Sequence, residues 1–230
     1  MSNVQEAMKS SIQNKTAFTI PLLGGIPVAE SVVVTWILMA IVMAAVLLLV
    51  RNLKPDHPGR GQSLLEMSVA FINNFTKDNI GPHWRAFAPW LGTVGIYIAV
   101  ANLSGALGLT PPTKDISVTA ALAATSVFMI YGGSFRFRGL RGGLKKFAEP
   151  IPLLIPINVM EIAIRPVSLC MRLFGNVLGS CVIMELIRAV MPVVIPVAFS
   201  LYFDIFDGII QTIVFVFLTA LFTGDALGEE

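Results

Sequence analysis

Apolar residues fill several stretches of the chain that are each long enough to cross a lipid bilayer. A hydrocarbon core of about 30 Å requires about 20 apolar residues in a helix. Residues 31–50 meet this requirement without a charge, and the stretches near 86–109 and 116–135 are also long enough. Two longer apolar tracts follow, at about 155–189 and from residue 197 onward. The pattern predicts an all-α membrane protein with about five transmembrane helices.

The segment 62–80 has a different pattern, with apolar and polar positions on opposite helical faces. The apolar face contains Leu64, Leu65, Val69, Ile72 and Phe75, and the polar face contains Glu66, Asn73 and Asn74. This pattern is typical of an amphipathic helix that lies in the membrane interface. We therefore expect one interfacial helix in addition to the spans.

Charged residues are sparse and unevenly placed. They make up 13% of the chain, against about 25% in soluble proteins. Basic residues follow the first span and cluster again at 136–146, whereas the loop at 110–115 has one lysine against one aspartate. The positive-inside rule places the two basic regions in the cytoplasm, so the N-terminus is predicted outside and the C-terminus inside. The basic cluster is read as a cytoplasmic loop rather than a nucleic-acid site.

The tract at 155–189 is too long for an upright helix. About 35 residues extend for about 52 Å, and a typical tilt of about 20° does not fit that length into the bilayer. Pro166 removes one backbone hydrogen bond and is expected to kink the helix. We predict a helix that lies at a steep tilt.

Polar side chains form a stripe along this tract. On a helical wheel at about 100° per residue, five other residues lie within about 40° of Arg172: Glu161, Arg165, Ser168, Asn176 and Gly179. Cys181, Glu185 and Arg188 fall on the opposite face. A central arginine costs roughly 2.5–3.5 kcal/mol on insertion scales, so polar groups at this depth are expected to face protein, water or an ion path.

The two arginines of the stripe differ in their sequence neighbours. Glu161 and Arg165 are spaced four residues apart in the order that favours an ion pair. Arg172 has no acid three or four residues away, so its counter-charge must come from elsewhere in this chain or from another subunit. Embedded acids that could serve within the chain are Glu185, Asp204 and Asp207. Gly175 and Gly179 would let a foreign helix approach closely.

The last apolar tract repeats this theme. Asp204, Asp207 and Gln211 fall near one face of the predicted helix. Two carboxylates and an amide on an apolar helix indicate a hydrated path for a small cation. A satisfied network between packed helices is the alternative interpretation.

The stretch RPVSLCMRLFGNVLG, residues 165–179, resembles subunit a of F-type ATP synthases. Three further features support the resemblance: IPINVMEIAIRP at 155–166, PPTKDISVTAALA at 111–123, and Gln211 in the last helix. The similarity covers roughly residues 30–225. It implies a non-catalytic stator subunit that provides two offset half-channels for protons or sodium ions, while ATP chemistry takes place on other subunits.

The resemblance also implies roles for individual residues. Arg172 would face the carboxylates of a c-subunit ring, with Asn176 and Gln211 nearby, and acids would line the half-channels. The full candidate set for ion translocation is Arg172, Asn176, Gln211, Glu185, Asp204, Asp207, Glu161, Ser168 and Arg165. Two positions depart from the family pattern: Cys181 stands where an acid is common, and Asp204 stands where some bacterial members have histidine.

The implied setting is a bacterial inner membrane. Expected partners are the c-ring, peripheral-stalk b subunits, membrane lipid and the transported ion, without a cofactor, a metal or nucleic acid. The chain would divide as follows: an N-terminal extracytoplasmic segment 1–30, a first transmembrane helix 31–50, an interfacial helix 62–80, a helical hairpin and basic cytoplasmic loop 86–147, and a long tilted hairpin with the ion path 148–230, packed against the rotor ring.

Three other classes of protein compete with this interpretation. A purely structural anchor would not need a buried Arg172 or embedded acids. A self-contained secondary ion transporter or channel would need its own substrate site, usually in repeated halves, and no matching halves are evident in the sequence. An intramembrane enzyme is disfavoured because the sequence contains neither H-E-x-x-H nor G-x-S-x-G.

Overall fold

Helices account for nearly all of the described structure. The computed structural model describes residues 16–20, 26–51, 59–107, 109–146, 155–190, 196 and 199–228. Within these ranges the α-helices are α1 (Glu30–Val50), α2 (Arg60–Ile80), α3 (Trp84–Leu103), α4 (Ile116–Lys146), α5 (Ile155–Val190) and α6 (Gly208–Leu227). Five helical stretches of the described chain are long and apolar enough to cross a membrane, which confirms the predicted fold class.

Short elements join these helices, and several were not predicted. A two-stranded antiparallel hairpin precedes α1, formed by β1 (Thr16–Ile20) and β2 (Ile26–Ala29). A 3₁₀ turn at Gly81–His83 links α2 to α3. Two further 3₁₀ turns, Ser104–Leu107 and Pro112–Lys114, lie between α3 and α4, and a π-helical turn, Leu201–Asp207, precedes α6.

Helix α1 presents apolar side chains to its surroundings on most sides. Val34 and Leu38 are buried against Ala101 of α3, but most of its other large apolar residues are exposed. A helix that is apolar on all sides can expose these side chains stably when lipid surrounds it. Residues of α1, α3 and α4 line an apolar groove of about 710 Å³.

The core joins α3, α4, α5 and α6. Its central cluster includes Ile98 of α3, Ala123 of α4, Leu169 and Leu173 of α5, and Phe215 of α6. A second cluster packs Ile80 at the end of α2 against Phe87 and Leu91 of α3 and Ala220 of α6. Because Leu169 and Leu173 flank Arg172 in the sequence, the central cluster fixes the rotation of α5 and hence the direction of that arginine.

The connection between α3 and α4 is held by side-chain hydrogen bonds. Ser31 of α1 donates to the Asp115 carboxylate over 2.7 Å, and the same carboxylate accepts the backbone N–H of Ser117 at the start of α4. Thr113 donates to the Asn102 side-chain oxygen over 3.0 Å. These bonds fasten the predicted outer loop to the helix ends at one end of the bundle.

Helix α5 matches its predicted length, whereas helix α4 extends further than predicted. Helix α5 has 36 residues, so its predicted length is confirmed, and it continues through Pro166 without a break; its tilt in the bilayer stays a prediction. Helix α4 continues to Lys146 across a change of direction at Gly139, whose φ is 73°. The basic segment 136–146 is therefore helical, and its cytoplasmic location stays a prediction.

Candidate functional site

Arg172 lies on α5 without an ionic partner in the described part of the chain. Its side chain is half-buried between the buried residues Leu169 and Leu173. Salt bridges between two described residues join Arg165 to Glu161 and Asp225, and Arg188 to Glu185, and no hydrogen bond of Arg172 to a described residue is present. The sequence has no acid three or four residues from Arg172, and the described part of the folded chain brings no carboxylate into an ion pair with it either.

The surface of α5 next to Arg172 is open. A Cβ atom placed on Gly175 or on Gly179 would meet nothing within 4 Å, and Ser168 is exposed one turn before the arginine. At Gly175, Gly179 and Ser168 the helix surface is open within the described chain, which leaves room for a partner beside Arg172. Ser168 itself joins neither of the two polar groups described below.

A polar cavity of about 240 Å³ lies beside the second half of α5. Its walls come from α5, the π-helical turn, the start of α6, and the connection between α3 and α4. Five predicted site residues line it: Asn176, Glu185, Asp204, Asp207 and Gln211. The cavity is many times larger than the space that one water needs, and its ionisable lining makes it suitable for water and small cations.

The end of the cavity nearest Arg172 is closed by a pair of amides. Asn176 donates a hydrogen bond to Gln211 over 2.7 Å. Gln211 is 2% exposed, and its amide nitrogen has no hydrogen-bond partner among the described residues. A buried donor without a partner is costly, so a polar molecule in the adjoining cavity that accepted a hydrogen bond from this nitrogen would stabilise the site. Asn176 lies one helical turn from Arg172 and links the two regions.

The π-helical turn sets the directions of both aspartates. Ser200 donates to Asp204 over 2.5 Å, and a Cβ on Gly105 would come within 2.8 Å of the Asp204 carboxylate. The predicted face at 100° per residue is wrong for residues 201–207, because a π-helix has more residues per turn. Asp204, Asp207 and Gln211 still come together at one cavity. Short π-helical stretches are frequent at functional sites.

The opposite face of α5 also contributes to this cavity. Cys181 and Glu185 line it, and Arg188 pairs with Glu185 over 3.4 Å. The sequence predicts these residues on the face opposite Arg172, and the cavity is lined both by them and by Asn176. Lys114, from the connection between α3 and α4, also lines it.

A second polar cluster lies on the other side of Arg172 along α5. Arg165 contacts Glu161 over 2.6 Å and Asp225 of α6 over 2.7 Å. Its guanidinium also lies 4.9 Å from the centre of the Phe222 ring. The predicted pair of Glu161 and Arg165 is confirmed.

Asp225 was missed by the sequence reasoning. It lies 14 residues after Gln211, which at about 100° per residue puts both on nearly the same face of α6. That spacing is the signal that could have revealed it. With Asp225 included, Arg165 is neutralised by two acids of the same chain, whereas Arg172 is not.

These features define a polytopic helical membrane protein with ionisable groups on both sides of an unpaired arginine. The sequence profile described as ATP synthase A chain matches residues 32–224. ATP synthase subunit a of Moorella thermoacetica is 37% identical over 201 residues, which cover 87% of this chain and 91% of that protein. The chain belongs to the ATP synthase A chain family. The resemblance seen in the sequence is thus confirmed, and with it a role in ion translocation within the membrane sector.

Proposed function

We propose that this chain is the stator subunit of a rotary ATP synthase and provides two offset half-channels for protons or sodium ions. In this proposal Arg172 faces the ion-binding carboxylates of a c-subunit ring and couples ion flow to rotation. The observation that carries the proposal is the position of Arg172. It lies without an ionic partner in the described chain, on an open helix surface and between two polar clusters.

The physical role of such an arginine follows from its charge. An opposite charge within about 4–6 Å favours the ionised form of a carboxyl group, so a ring carboxylate that reaches Arg172 releases its ion. A neutral, ion-loaded carboxyl group can pass through lipid, whereas a charged one does so only at high cost. Arginine suits this role better than lysine because it remains protonated when it is desolvated.

The polar cavity is the proposed outer half-channel. It extends from Lys114, in the loop predicted to lie outside, to the amides of Asn176 and Gln211 beside Arg172. Glu185, Asp204 and Asp207 provide carboxylates along it. An ion from the outer side would reach the ring near Arg172 by this path.

The cluster around Arg165 marks the proposed inner half-channel. Glu161 and Asp225 have half-exposed side chains, at 45% and 41%, whereas that of Arg165 is 15% exposed. Asp225 lies near the end of α6, which the charge distribution places in the cytoplasm. An ion that leaves the ring would pass these acids. The other expected partners are the b subunits of the peripheral stalk, and the expected location is a bacterial inner membrane.

Replacement of Arg172 by alanine tests this function. We expect Arg172→Ala to abolish ion-driven ATP synthesis, while the chain is still inserted in the membrane and assembled. Arg136→Ala is the matched control, because Arg136 is exposed on α4 and belongs neither to the polar cavity nor to the ion pairs of Arg165. That control should retain coupled synthesis. Normal coupled synthesis by Arg172→Ala would refute the role assigned to the arginine.

A further inference from the structure

The two cysteines of the chain have different surroundings. Cys181 is a free, half-buried thiol in the wall of the polar cavity. Cys170 is also free, but it packs against the central hydrophobic cluster and lies 3.5 Å from the Thr119 hydroxyl. One chain therefore offers a thiol that borders a polar space and a second thiol that packs among helices.

The cavity beside Cys181 is suited to hold a polar molecule. Gln211 belongs to the same wall; this residue is 2% exposed, and its amide nitrogen has no hydrogen-bond partner among the described residues. The ionisable lining comprises Glu185, Asp204 and Asp207 against Lys114 and Arg188, which leaves an excess of one acid when all are charged. A cavity with excess negative charge attracts cations more than anions. Small cationic molecules should therefore reach the thiol more readily than anionic ones.

We propose that Cys181 is a modification site for small, water-soluble, soft electrophiles that reach it through the polar cavity, and that its modification blocks ion passage. The modification of Cys181 is inferred from the geometry alone, whereas the block of ion passage rests on the proposed function of the cavity. With an alkyl methanethiosulfonate, the Cys181 sulfur attacks the sulfenyl sulfur of the reagent. A new disulfide forms, methanesulfinate leaves, and the thiol proton passes to water. The added group occupies space in the cavity and, when cationic, opposes the approach of another cation.

The test compares two reagents on the purified, assembled ATP synthase. One is the trimethylammonium-ethyl methanethiosulfonate and the other is its sulfonate-ethyl counterpart. Peptide mass spectrometry gives the labelling rates of Cys181 and Cys170 in the same sample, so Cys170 serves as the internal control. We expect Cys181 to react with the cationic reagent about tenfold faster than Cys170 does, and about tenfold faster than with the anionic reagent, at low salt.

Ion passage is measured after the labelled complex is reconstituted into liposomes. ATP-driven pumping should fall in proportion to the fraction of Cys181 that is labelled, and the fall should be absent in Cys181→Ser relative to its own untreated activity. Labelling of Cys181 no faster than that of Cys170 would overturn the modification site and leave the proposed function standing. Rapid labelling with unchanged pumping would overturn the block and would also count against the cavity as the ion path.

Discussion

Arg165 and Arg172 lie seven residues apart on α5 and differ in their ionic partners. Arg165 is 15% exposed and is held by two carboxylates, one from its own helix and one from α6. Arg172 has no ionic partner among the described residues and lies beside glycines with open space around them. The first arrangement stabilises the contact between two helices of the same chain. The second leaves a charge available for a partner, which is what a coupling role requires.

The first prediction separates these two roles by replacing each arginine with leucine. Arg172→Leu should reduce coupled ATP synthesis by at least about 100-fold, the scale on which removal of one preorganised electrostatic group acts. The stability of the chain should not fall, because no ionic contact with a described residue is lost. Synthesis by reconstituted complex and thermal unfolding of the purified chain in nanodiscs are the measurements. A fall in stability without loss of synthesis would reverse the assignment.

The second prediction concerns Arg165. Arg165→Leu leaves Glu161 and Asp225 without their shared cation and should lower the free energy of unfolding by about 1–2 kcal/mol. This is near the low end for charge-assisted pairs, because the two acids are 45% and 41% exposed. The same unfolding measurement checks it. The double variant Arg165→Leu with Asp225→Asn should recover part of the lost stability. An unchanged free energy of unfolding in the single variant would contradict a stabilising role for the ion pairs of Arg165.

The third prediction tests whether the open surface beside Arg172 receives another subunit. A Cβ atom at Gly175 would meet nothing within 4 Å in the described chain, and the same is true at Gly132 on α4, so each position has room for a larger side chain. Both variants should leave chain stability nearly unchanged. Only Gly175→Leu should lower coupled synthesis, by about tenfold or more, because it moves the approaching helix away from the arginine. Equal activity of the two variants would place the ring on another surface.

The fourth prediction addresses the cavity and carries the smallest expected effect. Glu185→Gln removes one of its carboxylates and should slow passive ion conduction through the membrane sector by a few-fold to about tenfold, at the lower end of the effect of a charged cleft. Glu66→Gln is the matched control, since Glu66 is exposed on α2 and bonds only to Gln62 in the described chain. Unchanged conduction by Glu185→Gln would assign the outer relay to Asp204 or Asp207.

Local rules explain why part of this structure could be predicted. Apolar length fixes the spans, and the spacing of Glu161 and Arg165 fixes their ion pair, because both depend on one helix only. The partner of Arg165 on α6 depends on how two helices pack, so Asp225 was found only in the folded chain. The π-helical turn escaped prediction for a related reason, since propensity and periodicity assume one regular helix. The cavity likewise needs four separate segments to meet, and no single stretch of sequence describes that meeting.

The most direct test of the account is the distance from the Arg172 guanidinium to the nearest carboxylate in a cryo-EM structure of the assembled complex. We expect this carboxylate to belong to a ring subunit and to lie within about 4–6 Å in at least one rotational state. A carboxylate of the same chain in that position, or an Arg172 that faces away from the ring in every state, would contradict it.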